Sequence, residues 1–215
     1  MKKAFYCSGR AVSLLKFYEQ NRIQDFPVEF FIYDGDDDEA FDKLCSLNNL
    51  IPVYRFNNNH INRDKSIPFS KDLSNQILSL CKKHNIDYLF CLGMAILKGD
   101  LLEVYKNRII NIHPSLLPSF RGLKAIDQAL ETNVQILGMT AHFIDNGIDT
   151  GPIIMQAVIP RYEYTGYDSV LSFTAPIIKR LFNFIDNGLL TTNTESSDVE
   201  FKMKKRELLL TVKDI

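Results

Sequence analysis

The sequence predicts an α/β fold, in which a mostly parallel, twisted sheet carries helices on both faces. Two patterns lead to this prediction: short, nearly continuous apolar runs alternate along the chain with segments whose apolar residues recur every three or four positions. The first pattern is typical of strands buried on both faces of a parallel sheet, and the second is typical of amphipathic helices. The chain has 215 residues, of which 46% are hydrophobic, so it can bury one sizeable core.

Seven strands are predicted from the apolar runs. They cover residues 3–7, 28–33, 51–56, 86–92, 108–112, 136–144 and 152–159. Ser8-Gly9-Arg10 ends the first run and Asp34-Gly35 ends the second, because glycine and small polar residues favour turns. Connections of this kind between strands and helices indicate repeated β-α-β units.

Six helices are predicted from the helical spacing. They cover residues 11–21, 39–48, 69–84, 97–105, 125–131 and 167–184. The polar stretch 57–68 is predicted to be a loop. Residues 1–187 are expected to form one domain and residues 188–215 a tail or small appendage, in which residues 202–215 form a last strand or a docked helix.

Composition excludes several classes of partner. The 25 basic and 26 acidic residues give a net charge of -1, which leaves no electrostatic footprint for nucleic acid. No apolar stretch approaches the ~18 residues of a membrane span, and the apolar run after Lys3 is too short for a signal peptide. We therefore expect a cytoplasmic protein with reduced cysteines and no membrane partner. Asp36-Asp37-Asp38 has no suitably spaced partner ligand, so no metal is expected.

The exit of the fifth predicted strand carries an unusual pair of polar residues. Asn111 and His113 are two apart, so on an extended strand end their side chains share a face while Ile112 points the other way. Pro114 and Pro118 stiffen the segment that follows. An amide and an imidazole on one face can bracket a carbonyl oxygen and stabilise the charge that develops on it.

A second polar segment lies between the sixth and seventh predicted strands. Gly147 and Gly151 permit sharp turns that present Asp149 inward. A carboxylate beside an imidazole can keep it protonated and can accept protons directly or through water. Together the three side chains suit acyl transfer to an amine, although each segment alone is also compatible with an ordinary tight connection.

Both segments resemble a known family. Residues 111–122, Asn-Ile-His-Pro-Ser-Leu-Leu-Pro-Ser-Phe-Arg-Gly, and residues 145–154, Asp-Asn-Gly-Ile-Asp-Thr-Gly-Pro-Ile-Ile, resemble the two signatures of the 10-formyltetrahydrofolate-dependent formyltransferases. The resemblance implies a Rossmann-like sheet, 10-formyltetrahydrofolate as co-substrate without a metal, and a small-molecule amine as acceptor. It places the catalytic residues of the family on Asn111, His113 and Asp149.

The resemblance also implies binding residues. The expected folate site comprises Leu92, Met94, Ile96, Leu97, Leu102, Ile144, Asp145 and Gly147. The expected acceptor site comprises Ser8, Gly9, Arg10, Ser115 and Arg121. His142, in the middle of a predicted strand, is interpreted as a core or pocket-wall residue rather than a catalyst.

The acceptor is predicted from departures within the family pattern. Purine-pathway members carry a phosphate-binding Gly-Ser-Asn turn after the first strand, where this chain has Ser8-Gly9-Arg10-Ala11-Val12-Ser13. The Arg121-Gly122 ending resembles sugar and methionyl-tRNA members instead. Methionyl-tRNA is not the expected acceptor, because the members that use it have a long extra domain that does not occur in these 215 residues. A nucleotide-linked amino sugar is therefore the expected acceptor. The alternatives are phosphoribosylglycinamide of purine biosynthesis, a non-catalytic folate-binding protein, and a hydrolase of formyltetrahydrofolate; a homodimer is left open.

Overall fold

The computed structural model describes residues 1–56, 71–192, 199–201 and 209–210, with side chains up to residue 190. The chain divides into two units, Met1–Ile109 and Ile110–Ile215. The predicted loop at residues 57–68 lies outside the described residues. Across the described residues, no helix combines the length and apolar character that crossing a membrane requires.

The N-terminal unit is built on parallel strands. In chain order its elements are β1 (Lys3–Cys7), α1 (Val12–Gln20), β2 (Phe31–Tyr33), α2 (Asp38–Leu47), β3 (Val53–Arg55), α3 (Lys71–His84), β4 (Tyr88–Leu92) and α4 (Asp100–Val104). Strand β1 pairs in parallel with β2 on one side and with β4 on the other, and β3 pairs in parallel with β2. The strand order reverses at β1, so the carboxyl ends of β1 and β4 form a place where α/β sheets commonly bind ligands.

Aromatic rings fill the core of this unit. Phe5 is fully buried, and its ring centroid lies 5.0 Å from that of Phe90 and 6.3 Å from those of Phe31 and Tyr18. Tyr18 meets Phe5 edge-on, an arrangement that aromatic pairs favour. These contacts fasten α1 to the sheet through Phe5.

The acidic cluster at residues 36–38 starts a helix. The Asp37 side chain accepts a hydrogen bond of 2.9 Å from the Ala40 backbone N–H and caps α2. Asp38 and Glu39 lie in the first turn, where negative charge interacts favourably with the helix dipole. Among the described residues, no group of three His, Cys, Asp or Glu side chains is placed to hold a metal ion.

The C-terminal unit is built mainly on antiparallel strands. Its first element is β5 (Ile109–His113), of which all but Ile109 belongs to this unit. The elements that follow are α5 (Ala125–Leu130), β6 (Ile136–Phe143), β7 (Ile153–Pro160), a 3-10 turn (Arg161–Glu163), α6 (Tyr167–Leu171), α7 (Thr174–Asp186), β8 (Leu190–Thr192), β9 (Val199–Phe201) and β10 (Leu209–Leu210). β6 pairs antiparallel with both β5 and β7, β8 pairs antiparallel with β9, and β10 adds in parallel to β7. β10 matches the strand alternative for residues 202–215; the domain boundary at residue 187 stays a prediction.

The α/β class is confirmed, and one predicted element is wrong. The single helix expected over residues 167–184 is two helices, α6 and α7. Pro176 lies in the first turn of α7, where its missing N–H costs nothing. Inside a continuous helix its ring would clash with the Ser172 carbonyl four residues earlier, so the helix restarts after that residue.

Several predicted boundaries also shift. The strand expected at 28–33 covers only Phe31–Tyr33, the strand expected at 51–56 covers Val53–Arg55, and the helix expected at 97–105 covers Asp100–Val104. The fifth strand runs one residue further than expected and includes His113. The strand therefore fixes the direction of this imidazole.

Phe5→Ala is expected to lower the free energy of unfolding by about 3–5 kcal/mol, because it leaves a cavity among the aromatic rings. Leu50→Ala is the matched control, since Leu50 is 90% exposed and its truncation should change stability by less than about 0.5 kcal/mol. Denaturant unfolding of both variants checks the prediction. Equal losses for the two variants would contradict the placement of Phe5 in the core.

Candidate active site

The register between β5 and β6 gathers polar side chains on one face. Asn111 lies directly opposite His142, and His113 lies opposite Thr140. Residues directly opposite on antiparallel strands point to the same side of the sheet. An irregularity in the β6–β7 register falls between Ala141 and His142, the kind of bulge that often re-aims a side chain beside an active site.

His113 is held at both ring nitrogens. Nε2 lies 2.9 Å from the Phe120 carbonyl oxygen, and Nδ1 lies 3.3 Å from Asp149 Oδ2. A carbonyl oxygen only accepts, so Nε2 carries the hydrogen in that bond. An ionised carboxylate also only accepts, so both contacts are hydrogen bonds together only when both nitrogens of the ring are protonated.

The loop from β6 to β7 turns Asp149 towards the imidazoles. Asp149 has a φ of 51°, a left-handed conformation that aspartate tolerates better than most residues. A Cβ atom on Gly151 would lie 1.9 Å from the Phe143 carbonyl oxygen, so only glycine fits where the loop returns past the end of β6. Asp145 braces the same loop, because its Oδ1 accepts from the Gly147 N–H at 3.0 Å and from the Thr150 hydroxyl at 2.6 Å.

The Asp149 carboxylate has three neighbours with hydrogens to give. Oδ2 accepts from the Gly122 backbone N–H at 2.8 Å and faces His113, while Oδ1 lies 3.5 Å from His142 Nε2. Burial pushes the pKa of Asp149 up, but the hydrogen bonds from His142 and Gly122 and the charges of both imidazoles outweigh burial and leave the pKa below its ordinary value. The carboxylate is therefore ionised at neutral pH.

His142 links Asn111 to Asp149, and the sequence did not predict this role. It is 2% exposed, its Nε2 lies 3.2 Å from Asn111 Nδ2, and its Nδ1 lies 2.9 Å from the Phe143 carbonyl oxygen. The interpretation of His142 as a core or pocket-wall residue is right about burial but omits these contacts. Its spacing of two from Thr140 on one strand gave no sign of its partners, which come from β5 and from the following loop.

Side chains of β6 and β7 fasten the loop that follows His113. The Thr140 hydroxyl donates to the Ser115 carbonyl at 2.6 Å and accepts from the Leu117 N–H at 3.0 Å. The Gln156 side chain donates to the Leu117 carbonyl at 2.9 Å. Ser115 itself is buried and donates its hydroxyl to the Ser119 carbonyl, so its predicted contact with substrate stays a prediction.

The structure brings together the three predicted catalytic residues, and the predicted binding residues lie in both units. In the N-terminal unit Met94 is exposed, Leu92 and Ile96 are half-buried, and Leu97 and Leu102 are buried. In the C-terminal unit Ile144 and Asp145 are half-buried and Gly147 is exposed. Arg121 is exposed beside Gly122. Their roles in binding stay predictions.

The predicted acceptor residues form a turn before a helix. Gly9 has a φ of 57°, and Ala11, with a φ of 48°, precedes α1 without giving a side-chain cap. The side chain of Arg10 is 82% exposed, and its Nε lies 4.0 Å from Asp37 Oδ2. The first turn of α1 contains no acidic residue, so its N–H groups face no competing carboxylate on their own helix.

An amide, two imidazoles and an ionised carboxylate, linked through His142 and Asp149 on an α/β scaffold, are the parts of an acyl-transfer site. The Formyl transferase family model matches residues 1–169 of the chain. The chain belongs to the formyl transferase family, which confirms the resemblance that its two signatures carry.

Three known proteins illustrate the similarity. Phosphoribosylglycinamide formyltransferase of Bacillus subtilis (strain 168) is 41% identical over 95 residues, which are 44% of this chain and 49% of that protein. Formyltetrahydrofolate deformylase of Haemophilus influenzae is 53% identical over 66 residues, 31% of this chain and 24% of that protein. The matches therefore span about half the first relative's length and a quarter of the second's. The crystal structure of phosphoribosylglycinamide formyltransferase from Anaplasma phagocytophilum has the same fold, with a TM-score of 0.78, 24% identity and 98% of each chain covered.

Asp149→Asn should change how stability depends on pH. The folded pKa of Asp149 lies below its unfolded value, so its ionised form stabilises the fold above the ordinary aspartate pKa, and this stabilisation is lost as the pH falls through the folded pKa. The free-energy gap between the native protein and the variant should therefore shrink between roughly pH 5 and pH 2. Denaturant unfolding across that range measures the gap, and parallel curves for the two proteins would refute the depressed pKa.

Proposed function

We propose that this chain transfers the formyl group of 10-formyltetrahydrofolate to the primary amine of phosphoribosylglycinamide. The observation that carries the proposal is the contact of His113 with Asp149, on the same strand as Asn111, in a chain of the formyl transferase family. His142 joins Asn111 to the same carboxylate. Folate supplies the one-carbon group. Asn111, His113, His142 and Asp149 supply hydrogen bonds, negative charge and a group that accepts a proton.

Asn111 and His113 stabilise the oxygen of the transferred group. When the amine attacks the formyl carbon, negative charge develops on that oxygen, and N–H donors fixed in advance lower the barrier. The Asn111 side-chain amide lies 3.2 Å from His142 Nε2 and carries two N–H groups that can donate. The Nε2 hydrogen of His113 points at the Phe120 carbonyl, and the proposal requires this hydrogen to turn to the formyl oxygen during the reaction.

Asp149 supplies negative charge beside His113 and receives the proton of the attacking amine. Its depressed pKa keeps it ionised, so it places a negative charge beside His113 and can accept the proton that the attacking nitrogen loses, directly or through a water molecule. The bond between the formyl carbon and the folate nitrogen then breaks, and a proton returns to that nitrogen. The net change replaces one amide with another and needs no oxidant.

The relatives favour phosphoribosylglycinamide over the amino sugar expected from the sequence. The Bacillus subtilis relative carries phosphoribosylglycinamide formyltransferase as its name, and so does the structural neighbour from Anaplasma phagocytophilum. The turn at Ser8-Gly9-Arg10 supports a phosphate on the acceptor, because it leads into a helix N-terminus whose N–H groups can receive an anion. The exposed Arg10 adds positive charge at that turn.

Residues of each unit are proposed to bind folate, and each unit is considered by itself. In the N-terminal unit they lie in the stretch after β4, where Met94 is 66% exposed and offers a flexible apolar side chain. In the C-terminal unit they lie in the loop from Ile144 to Asp149, where Ile148 is 46% exposed. Exposed apolar side chains beside backbone polar groups fit a flat heteroaromatic ring.

Hydrolysis is the second candidate function. The formyltetrahydrofolate deformylase of Haemophilus influenzae shares 53% identity over its matched segment. The same oxyanion donors would serve that reaction, with water in place of the amine, and the products would be formate and tetrahydrofolate. The fate of the formyl carbon distinguishes the two reactions.

The acceptor is tested with 10-formyltetrahydrofolate whose formyl carbon is labelled with ¹³C. We expect the label to appear in the formamide of phosphoribosylglycinamide, and not in parallel samples that contain nucleotide-linked amino sugars. Carbon NMR resolves formamide from formate. Label in formate without any amine would assign the hydrolase, and label on a sugar would restore the acceptor expected from the sequence.

His113→Ala should lower kcat by about 10²- to 10⁴-fold, because it removes a donor to the oxyanion. His84→Ala is the matched control, because His84 is the last residue of α3 in the other unit and contacts Tyr54 there. This variant should leave kcat within about twofold. Initial rates at saturating folate and amine measure both. A near-normal rate for His113→Ala would refute the proposed mechanism.

A further inference from the structure

Two side chains from the end of β1 hold the segment that leaves β4. The Met94 backbone N–H donates to Ser8 Oγ at 2.9 Å, and the Ala95 backbone N–H donates to the Tyr6 hydroxyl at 3.4 Å. Both contacts join residues more than 80 positions apart in the chain. Consecutive amides of the segment at residues 93–95 are thus turned towards β1.

Tyr6 is in turn held by a buried carboxylate. Its side chain is fully buried, and its hydroxyl donates to Asp34 Oδ2 at 2.7 Å. Burial and then the charge of Asp34 raise the pKa of Tyr6 well above its usual range, so the phenol stays protonated and remains a donor. Ala95, Tyr6 and Asp34 form a chain of hydrogen bonds in which each bond polarises the next.

The ring of Tyr6 also fixes the backbone path of the segment. A Cβ atom on Gly93 would lie 2.2 Å from Tyr6 Cε1, so the ring occupies the space that any larger residue at position 93 would need. Tyr6 therefore constrains the segment twice, by shape at Gly93 and by a hydrogen bond at Ala95. The side chain of Met94 between them stays 66% exposed.

We propose that Tyr6, Asp34 and Ser8 are positioning residues that fix the 93–95 segment and thereby set the affinity for folate. The link to folate rests on the proposed function, which makes this segment one wall of the folate site. A segment whose backbone is ordered before the ligand arrives costs less to order on binding. The three residues act through Gly93, Met94 and Ala95 and need not touch the ligand themselves.

Tyr6→Phe tests the proposal, because it keeps the ring beside Gly93 and removes only the hydroxyl. Tyr18→Phe is the matched control: Tyr18 is 8% exposed and its hydroxyl donates to the Phe26 carbonyl at 3.0 Å, away from the 93–95 segment. Each variant loses a buried hydroxyl in the same unit: Tyr6→Phe loses the hydrogen bonds with Asp34 and Ala95, and Tyr18→Phe loses the one with Phe26. A purely structural role for Tyr6 predicts that the two variants behave alike.

Two measurements are made on each full-length variant. Hydrogen exchange at Ala95 should become about tenfold faster in Tyr6→Phe and stay unchanged in Tyr18→Phe, since Tyr6→Phe removes the hydrogen bond of the Ala95 N–H and one hydrogen bond is worth roughly that factor. The KM for 10-formyltetrahydrofolate should rise about fivefold to tenfold in Tyr6→Phe only, with kcat and the KM for the amine within about twofold. If Tyr6→Phe does not fold, Ser8→Ala tests the positioning role by exchange alone, because it removes the acceptor of the Met94 N–H and should make exchange at Met94 about tenfold faster.

The outcomes separate three claims: the positioning role, the link to folate and the proposed function. Unchanged exchange at Ala95 in Tyr6→Phe and at Met94 in Ser8→Ala would overturn the positioning role. Faster exchange with an unchanged KM for folate would overturn the link to folate. If the native protein neither transfers nor hydrolyses the formyl group, the proposed function fails, and the exchange measurement alone still supports or overturns the positioning role.

Discussion

The carboxylate of Asp149 is the constraint on which the rest of the candidate site depends. One oxygen faces His113 and the Gly122 N–H, and the other faces His142, which also contacts Asn111. Burial alone would favour a neutral carboxyl group, and the surrounding donors reverse that preference. Two backbone features bring this carboxylate into place: the left-handed conformation of Asp149, and Gly151, where there is no room for a side chain.

The two units use different strand pairings to position polar groups. In the C-terminal unit the antiparallel β5–β6 register sets Asn111 opposite His142, and Thr140 and Gln156 fasten the loop after His113. In the N-terminal unit the parallel strands end together, so that side chains of β1 reach the segment after β4. In both units the functional groups lie at strand ends, while apolar residues of the same strands fill the core.

Local pattern was enough to predict the α/β class and the placement of Asn111, His113 and Asp149, whose catalytic role follows from the family resemblance and stays a prediction. A spacing of two placed Asn111 and His113 on one face, and flanking glycines indicated that Asp149 is turned inward. Pattern was not enough for His142, because its partners depend on a register between distant strands that no local spacing contains. The helix break before Pro176 was missed because apolar periodicity continues across it. The amino-sugar prediction rests on the turn at residues 8–13 and on the Arg121-Gly122 ending, whereas the match to a phosphoribosylglycinamide formyltransferase extends over 95 residues and favours the alternative.

The most direct test is the titration of the Asp149 carboxyl carbon by ¹³C NMR, with its signal assigned by its loss in Asp149→Asn. If hydrogen bonds and imidazole charges outweigh burial, the signal titrates below the ordinary aspartate pKa and the carboxylate is ionised throughout the neutral range. A titration at or above the ordinary value would mean that burial dominates, and the carboxylate would not organise the site as described.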